Sequence, residues 1–306
     1  MDPAWEISGT TPELVLRAAR RVSETSRFPL DALTQAAREV AARVAGLEPQ
    51  LVREEMTALL LGRGVHLALQ WLQDARVLPV LLPEVSATVD FSQEAGRRHK
   101  DVWEHTKQVV RQAVPRPLVR WAALLHDIGK VPTRTFTPSG KVHFHGHSEV
   151  GARMFEGLVG RFAFPPRERQ TIHFLILHHL RANQYDGSWT DSAVRRFDRE
   201  MGEHLEDLLD LSRADITSKR PGRRQEALRN ISDLAARIAA LREEEARLPA
   251  LPTGLGHAIM TALGIPPSRR IGDLKRLCET AVESGELEAR QPSEVYVEWL
   301  RRAGHL

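Results

Sequence analysis

His126 and Asp127 stand side by side in Trp121-Ala122-Ala123-Leu124-Leu125-His126-Asp127-Ile128-Gly129-Lys130, at the end of an apolar stretch. Burying an imidazole and a carboxylate there is costly unless something compensates them, and a divalent cation is the usual compensator. Asp101 and His105 are four residues apart, a spacing that puts both on one helix face. Leu211 and Asp215 repeat that spacing, so Asp215 stands where a buried stripe would continue and needs a partner. His105, His126, Asp127 and Asp215 together offer two imidazoles and two carboxylates, a set better suited to manganese, iron, nickel, cobalt or zinc than to calcium.

A second group of histidines could extend this site from one ion to two. His147 precedes an expected helix, and His178-His179 closes another whose Ile172, Leu175 and Ile176 should face inward. His179 continues that inward face and His178 borders it, so His147, His178 and His179 are all candidate ligands. Asp127 has two oxygens and could bridge a pair of ions roughly 4 Å apart, the arrangement that clamps attacking and leaving oxygens in phosphoryl transfer. A lone histidine on an apolar face is usually a core residue, and it is the joint occurrence with the dipeptide that favours ligation. Lys130 and Arg181 are cations that could meet a phosphate at the ions, or be surface charges. Asp101 and His145 are candidates for supporting positions behind the ligands. His143 and His145 fall at the rim of the site or in solvent, and His99 is a weaker candidate. His66, His173, His204, His257 and His305 lack a partner spacing.

Helices must position these groups, because the hydrophobic periodicity is helical almost throughout. The fold class expected is all-α. In the first part, helices are expected over 12–22, 30–46, 48–61 and 65–74, with Gly46, Gly62-Arg63-Gly64 and Pro79 as breaks. In the middle part they are expected over 101–113, 118–127, 148–159, 166–180, 190–200 and 204–214. Lys141-Val142-His143-Phe144-His145 alternates as a small extended loop. A helix over 224–247, a linker over 248–254 and a helical tail complete the chain. The domain boundaries expected are 1–90, 91–220 and 221–306.

With 306 residues and 42% hydrophobic content, the chain can bury a substantial core. No apolar run approaches the roughly 20 residues of a membrane span, and the amino terminus lacks a leader pattern, so a cytoplasmic protein is expected. The single cysteine, Cys278, excludes an intramolecular disulfide and reads as helix core. The net charge is +3 and the pI about 9.3. Arginine-rich runs at 219–224, 195–196 and 269–270 permit nucleic-acid contact without requiring it.

His105, His126-Asp127 and Asp215 resemble the signature of the HD superfamily of metal-dependent phosphohydrolases. More specifically, His99-Lys100-Asp101-Val102-Trp103-Glu104-His105-Thr106, Phe144-His145-Gly146-His147 with Val150-Gly151-Ala152-Arg153, and His178-His179-Leu180-Arg181 are similar to the HD domain of bacterial CCA-adding tRNA nucleotidyltransferases. Leu16-Arg17-Ala18-Ala19-Arg20 is similar to that family's neck, Leu78 to Glu84 to the end of its body, and Gly256-His257 with Leu263 to Pro267 to its tail. The nucleotidyltransferase head has no counterpart before Thr11, and the acidic pair and arginine that precede the neck in relatives are replaced by Thr10-Thr11 and Glu13-Leu14. CCA addition by this chain alone is therefore not expected. The resemblance implies an HD-domain helical bundle flanked by a helical neck and body and a tail. It also implies one or two divalent transition-metal ions, and hydrolysis of 2′,3′-cyclic, 2′- or 3′-phosphates on nucleotides or RNA ends. Two alternatives stay open: a tRNA-like RNA-binding module with a structural metal site, and a nucleotide triphosphate hydrolase.

Overall fold

A computed structural model describes residues 11–91, 101–138, 142–218, 220–247 and 249–306, so His99 and Lys219 lie outside the described residues. The fold is all-α. Prolines open several helices, where a missing N–H costs nothing and φ is already helical. Helix α1 (Pro12–Thr25) adds a side-chain cap from Thr11 to Leu14 N. It is followed by α2 (Asp31–Val40), α3 (Pro49–Leu61) and α4 (Val65–Asp74). The helix expected over 30–46 is continuous only to Val40, and Ala41–Gly46 winds into a tighter 3₁₀ turn. Two single turns, α5 (Leu78–Leu81) and α6 (Pro83–Ser86), close this part; Pro79 lies inside a turn here rather than acting as a break.

The middle of the chain contains α7 (Val102–Gln112), α8 (Pro117–Leu125), the short α9 (Lys130–Thr133), α10 (His147–Phe162), α11 (Pro166–His178), α12 (Asp191–Met201) and α13 (Leu205–Asp215). Between α9 and α10, β1 (Thr135–Phe136) and β2 (Val142–His143) pair antiparallel, Thr135 opposite His143 and Phe136 opposite Val142. They are the only strands among the described residues.

Helix α8 is the axis of this arrangement. Every residue from Val119 to Leu125 is buried, as expected of a helix that is apolar on all sides. It packs against α3, α7, α11 and α13, while α10 packs on α11 and α3. Arg120, 6% exposed, is the polar exception, and its guanidinium donates to Leu60 O at 3.0 Å and Val114 O at 3.2 Å. The chain therefore leaves α8 at His126 with four helices already gathered around it.

The chain forms two compact units, residues 1–238 and 239–306, with α14 (Pro221–Arg247) running through the boundary. The regions expected at 1–90 and 91–220 both fall in the first unit. The second contains α15 (Leu255–Leu263), α16 (Arg269–Glu283) and α17 (Ser293–Arg302) around its own core of Leu255, Ile259, Leu274, Cys278, Tyr296 and Leu300. The Tyr296 hydroxyl donates to Glu288 O at 2.8 Å and accepts from Gln291 N at 3.2 Å. Burial pushes the Cys278 thiol up to about 11. Among the described residues no helix is long and apolar enough to cross a membrane.

Candidate metal centre

Five helices deliver donors to one point in the first unit. Helix α7 carries His105 at the end of its first turn, α8 runs into His126 and Asp127, α10 begins at His147, α11 ends just before His179, and α13 ends at Asp215. His105 Nε2 lies 3.0 Å from Asp215 Oδ1 and 3.4 Å from Asp127 Oδ2. His126 Nε2 is 3.2 Å from Asp127 Oδ2 and 3.5 Å from Asp215 Oδ1. His147 Nε2 is 3.6 Å from the other oxygen, Asp127 Oδ1, and 3.3 Å from His179 Nε2. The donors thus form two groups, His105 with His126 and Asp127, and Asp127 with His147 and His179, which share Asp127.

The other nitrogen of each ring explains how they are aimed. His126 Nδ1 faces Ala123 O at 2.8 Å, His147 Nδ1 faces Phe144 O at 2.8 Å, and His179 Nδ1 faces Ile176 O at 2.7 Å. A carbonyl only accepts, so each Nδ1 carries a proton, and Nε2 is the atom each ring turns towards the other donors. His105 Nδ1 pairs with the Thr217 hydroxyl at 2.9 Å. The Nε2 atoms of His126 and His105, and those of His147 and His179, lie 3.3 Å apart, each pair with its lone pairs directed at a shared point once the rings are unprotonated there. They can share a cation. Imidazole and carboxylate donors with anchored second nitrogens fit a divalent transition metal.

The electrostatics favour positive charge at this point. Burial opposes the imidazolium form of His126, yet Asp127 and Asp215 outweigh it and push its pKa up to about 10. Burial likewise opposes ionisation of Asp127, but His126, Lys130 and His105 hold it well below the usual carboxylate range. Asp215 is held low against burial by His105 and His126. Burial and the neighbouring His126 push His179 down to about 4, consistent with a neutral donor.

Backbone packing fixes the spacing between the two groups. A Cβ at Gly129 would come within 2.0 Å of His147 O and 2.6 Å of Gly151 N, so only glycine lets the turn after Asp127 approach the start of α10 this closely. Gly146, at φ 72°, turns the chain into that helix.

Four expectations are corrected. Asp101 is not on a helix face with His105, because α7 starts one residue later; its carboxylate instead caps the helix, accepting from Trp103 N at 2.6 Å and Glu104 N at 3.4 Å. His178 does not join the donors. Adjacent helical residues point about 100° apart, so His179 faces the centre while the His178 ring lies against Phe174, centroids 4.3 Å apart. His145 is exposed and stacks on His143 at 5.1 Å, a rim position rather than one behind the ligands. Arg181 is held by Glu200 at 2.6 Å, away from the donor groups. Lys130, by contrast, reaches Asp127 Oδ2 at 2.7 Å. Thr217 and the three carbonyls that anchor the imidazoles have no sequence signal beyond the proximity of Thr217 to Asp215.

Beside the donors opens a cavity of about 690 Å³, lined by His143, His145, His147, His178 and Arg181 among others. His147 belongs to both, so the cavity adjoins the second donor group.

Residues 99–241 match the HD domain family. The chain is 34% identical over 296 residues to an A-adding tRNA nucleotidyltransferase of Deinococcus radiodurans, covering 92% of this chain and 66% of that protein. It is 30% identical over 303 residues to a CC-adding tRNA nucleotidyltransferase of Thermus thermophilus, covering 94% and 66%. A multifunctional CCA protein of Pseudomonas fluorescens is 32% identical over 161 residues, 50% of this chain and 38% of that protein. The chain therefore spans just under two thirds of the length of the first two curated relatives. Its His and Asp donors thus lie inside a segment that matches the HD domain, in a chain similar over nearly its whole length to tRNA nucleotidyltransferases.

Proposed function

We propose that this chain is a divalent-metal-dependent phosphohydrolase acting on nucleotide or RNA-end phosphoesters, such as 2′,3′-cyclic phosphates and 2′- or 3′-phosphates. The observation that carries this reading is the sharing of Asp127 between two imidazole-rich donor groups beside an open cavity. His105, His126, Asp127 and Asp215 would hold one ion, and Asp127, His147 and His179 a second. Bound there, divalent ions supply Lewis acidity and lower the pKa of water. The chain's own residues do the rest. The anchored Nδ1 groups keep the imidazoles aimed, Lys130 adds a cation at the phosphate oxygens, and His178 and Arg181 form part of the wall of the neighbouring cavity. The first two relatives named above are tRNA nucleotidyltransferases, which favours an RNA end over a free nucleotide triphosphate.

The test is a phosphoesterase screen over 2′,3′-cyclic AMP, 2′-AMP and 3′-AMP with manganese, cobalt, nickel, iron and zinc. Turnover is expected with at least one ion, and a His126→Ala, Asp127→Ala double variant, folded by circular dichroism, should lose it. Turnover by that variant equal to the parent's, or none by the parent, would overturn the proposal. One observation supports a second reading, as an RNA-binding module: Arg220, Arg223 and Arg224 are exposed at the start of α14. Binding of tRNA that persists in chelator, without turnover of any ester, would favour it.

A further inference from the structure

A series of cations and rings leads away from the donor groups. Lys130 Nζ, 2.7 Å from Asp127 Oδ2, is also 5.7 Å from the centroid of Phe144. Phe144 meets Phe91 with centroids 6.3 Å apart and planes tilted 44°. The Arg134 guanidinium carbon lies 4.0 Å over Phe91 and 5.5 Å from Phe136, which closes the series 60% exposed. The hairpin makes this possible. Phe136 and Val142 are opposite one another and so share a face, to which Arg134 and Phe144, two residues away along their segments, belong by alternation.

An exposed phenylalanine by itself needs no explanation. Here, however, α9 buries none of its residues and both residues of β1 are exposed, so Arg134 and Phe136 contribute little to the core. What the ladder presents is the complement of a single-stranded nucleic acid: cations for phosphates, interleaved with ring faces and a guanidinium plane on which bases stack. We propose that Phe136, Arg134 and Phe91 bind the nucleotides that precede the reacting terminus of a single-stranded RNA, so that an oligonucleotide end is preferred to a mononucleotide. For its chemistry the proposal rests on the phosphohydrolase reading; for binding it does not.

Two measurements on the full chain separate these. The first is the ratio of kcat/KM for a diadenosine 2′,3′-cyclic phosphate to that for 2′,3′-cyclic AMP. The parent is expected to prefer the dinucleotide by about tenfold, the effect of one base stack, and Phe136→Ala or Arg134→Gln to erase most of that preference while Phe136→Trp retains it. The second is fluorescence anisotropy with a labelled pentaadenylate carrying a 3′-phosphate, in EDTA, where the same two variants should weaken binding about tenfold with melting temperatures unchanged. A parent that treats both substrates alike, with binding indifferent to the variants, overturns the ladder and leaves the hydrolase standing. Loss of binding in the variants with no turnover by the parent does the reverse.

Discussion

At the scale of single residues, Asp127 holds the two donor groups together, so it should be the least replaceable side chain. Asp127→Asn is expected to lower the metal retained after gel filtration to background, read by elemental analysis, while far-ultraviolet circular dichroism stays as in the parent. Thr217 tests the anchoring of the rings. Thr217→Val leaves the donors intact but releases His105 Nδ1, and metal affinity should fall roughly 10- to 100-fold in a competition titration. An unchanged affinity would mean that the hydroxyl does not orient the ring. Cys278 reports on the second unit. Burial raises its pKa from an ordinary 9.0 to about 11, so the folded state holds the proton more tightly than the unfolded one. That contribution is complete below pH 9.0 and is lost as pH rises towards 11, so this unit should lose stability over that window. At pH 8 the folded thiol should resist iodoacetamide and react promptly in guanidinium. The donors were legible in the sequence because each has a distinctive residue type at a helix end or on a helix face. Their anchors were not, since Ala123, Phe144 and Ile176 contribute only carbonyls, which every residue has.

At the scale of elements, the centre depends on how closely helix ends approach one another. Gly129→Ala would drive a methyl into the His147 carbonyl, and the turn or α10 must move. We expect a loss of about 1–3 kcal/mol in urea unfolding, together with reduced metal retention as His147 shifts. Retention equal to the parent's would show that the turn relaxes without disturbing the donors. Helix positions were readable from apolar periodicity and from the prolines that open α1, α3, α8 and α11. Ends were less so, and at the donor centre the ends help decide the roles. Starting α7 at Val102 rather than Asp101 converts Asp101 from a neighbour of His105 into a cap, whereas His178 and His179 diverge by the roughly 100° step between adjacent helical residues. The ladder from Lys130 to Phe136 was invisible for a different reason: it joins Phe91, Arg134 and Phe144, whose proximity only the tertiary fold creates.

At the scale of the whole molecule, an ion held by donors from five helices would couple metal binding to folding of the first unit. A ligand at 100 times its Kd adds about 2.7 kcal/mol to the stability of the state that binds it. For a unit of this size that corresponds to a rise in Tm of about 5–10 °C, which EDTA should reverse and Asp127→Asn should abolish. The measurement that bears most directly on the centre is anomalous diffraction from a crystal grown with manganese. Anomalous density is expected at coordinating distance from His126 Nε2 and Asp127, enclosed by His105 and Asp215, with further density between Asp127, His147 and His179 if a second ion binds. Manganese density elsewhere in the molecule, with none at Asp127, would contradict the proposed metal centre.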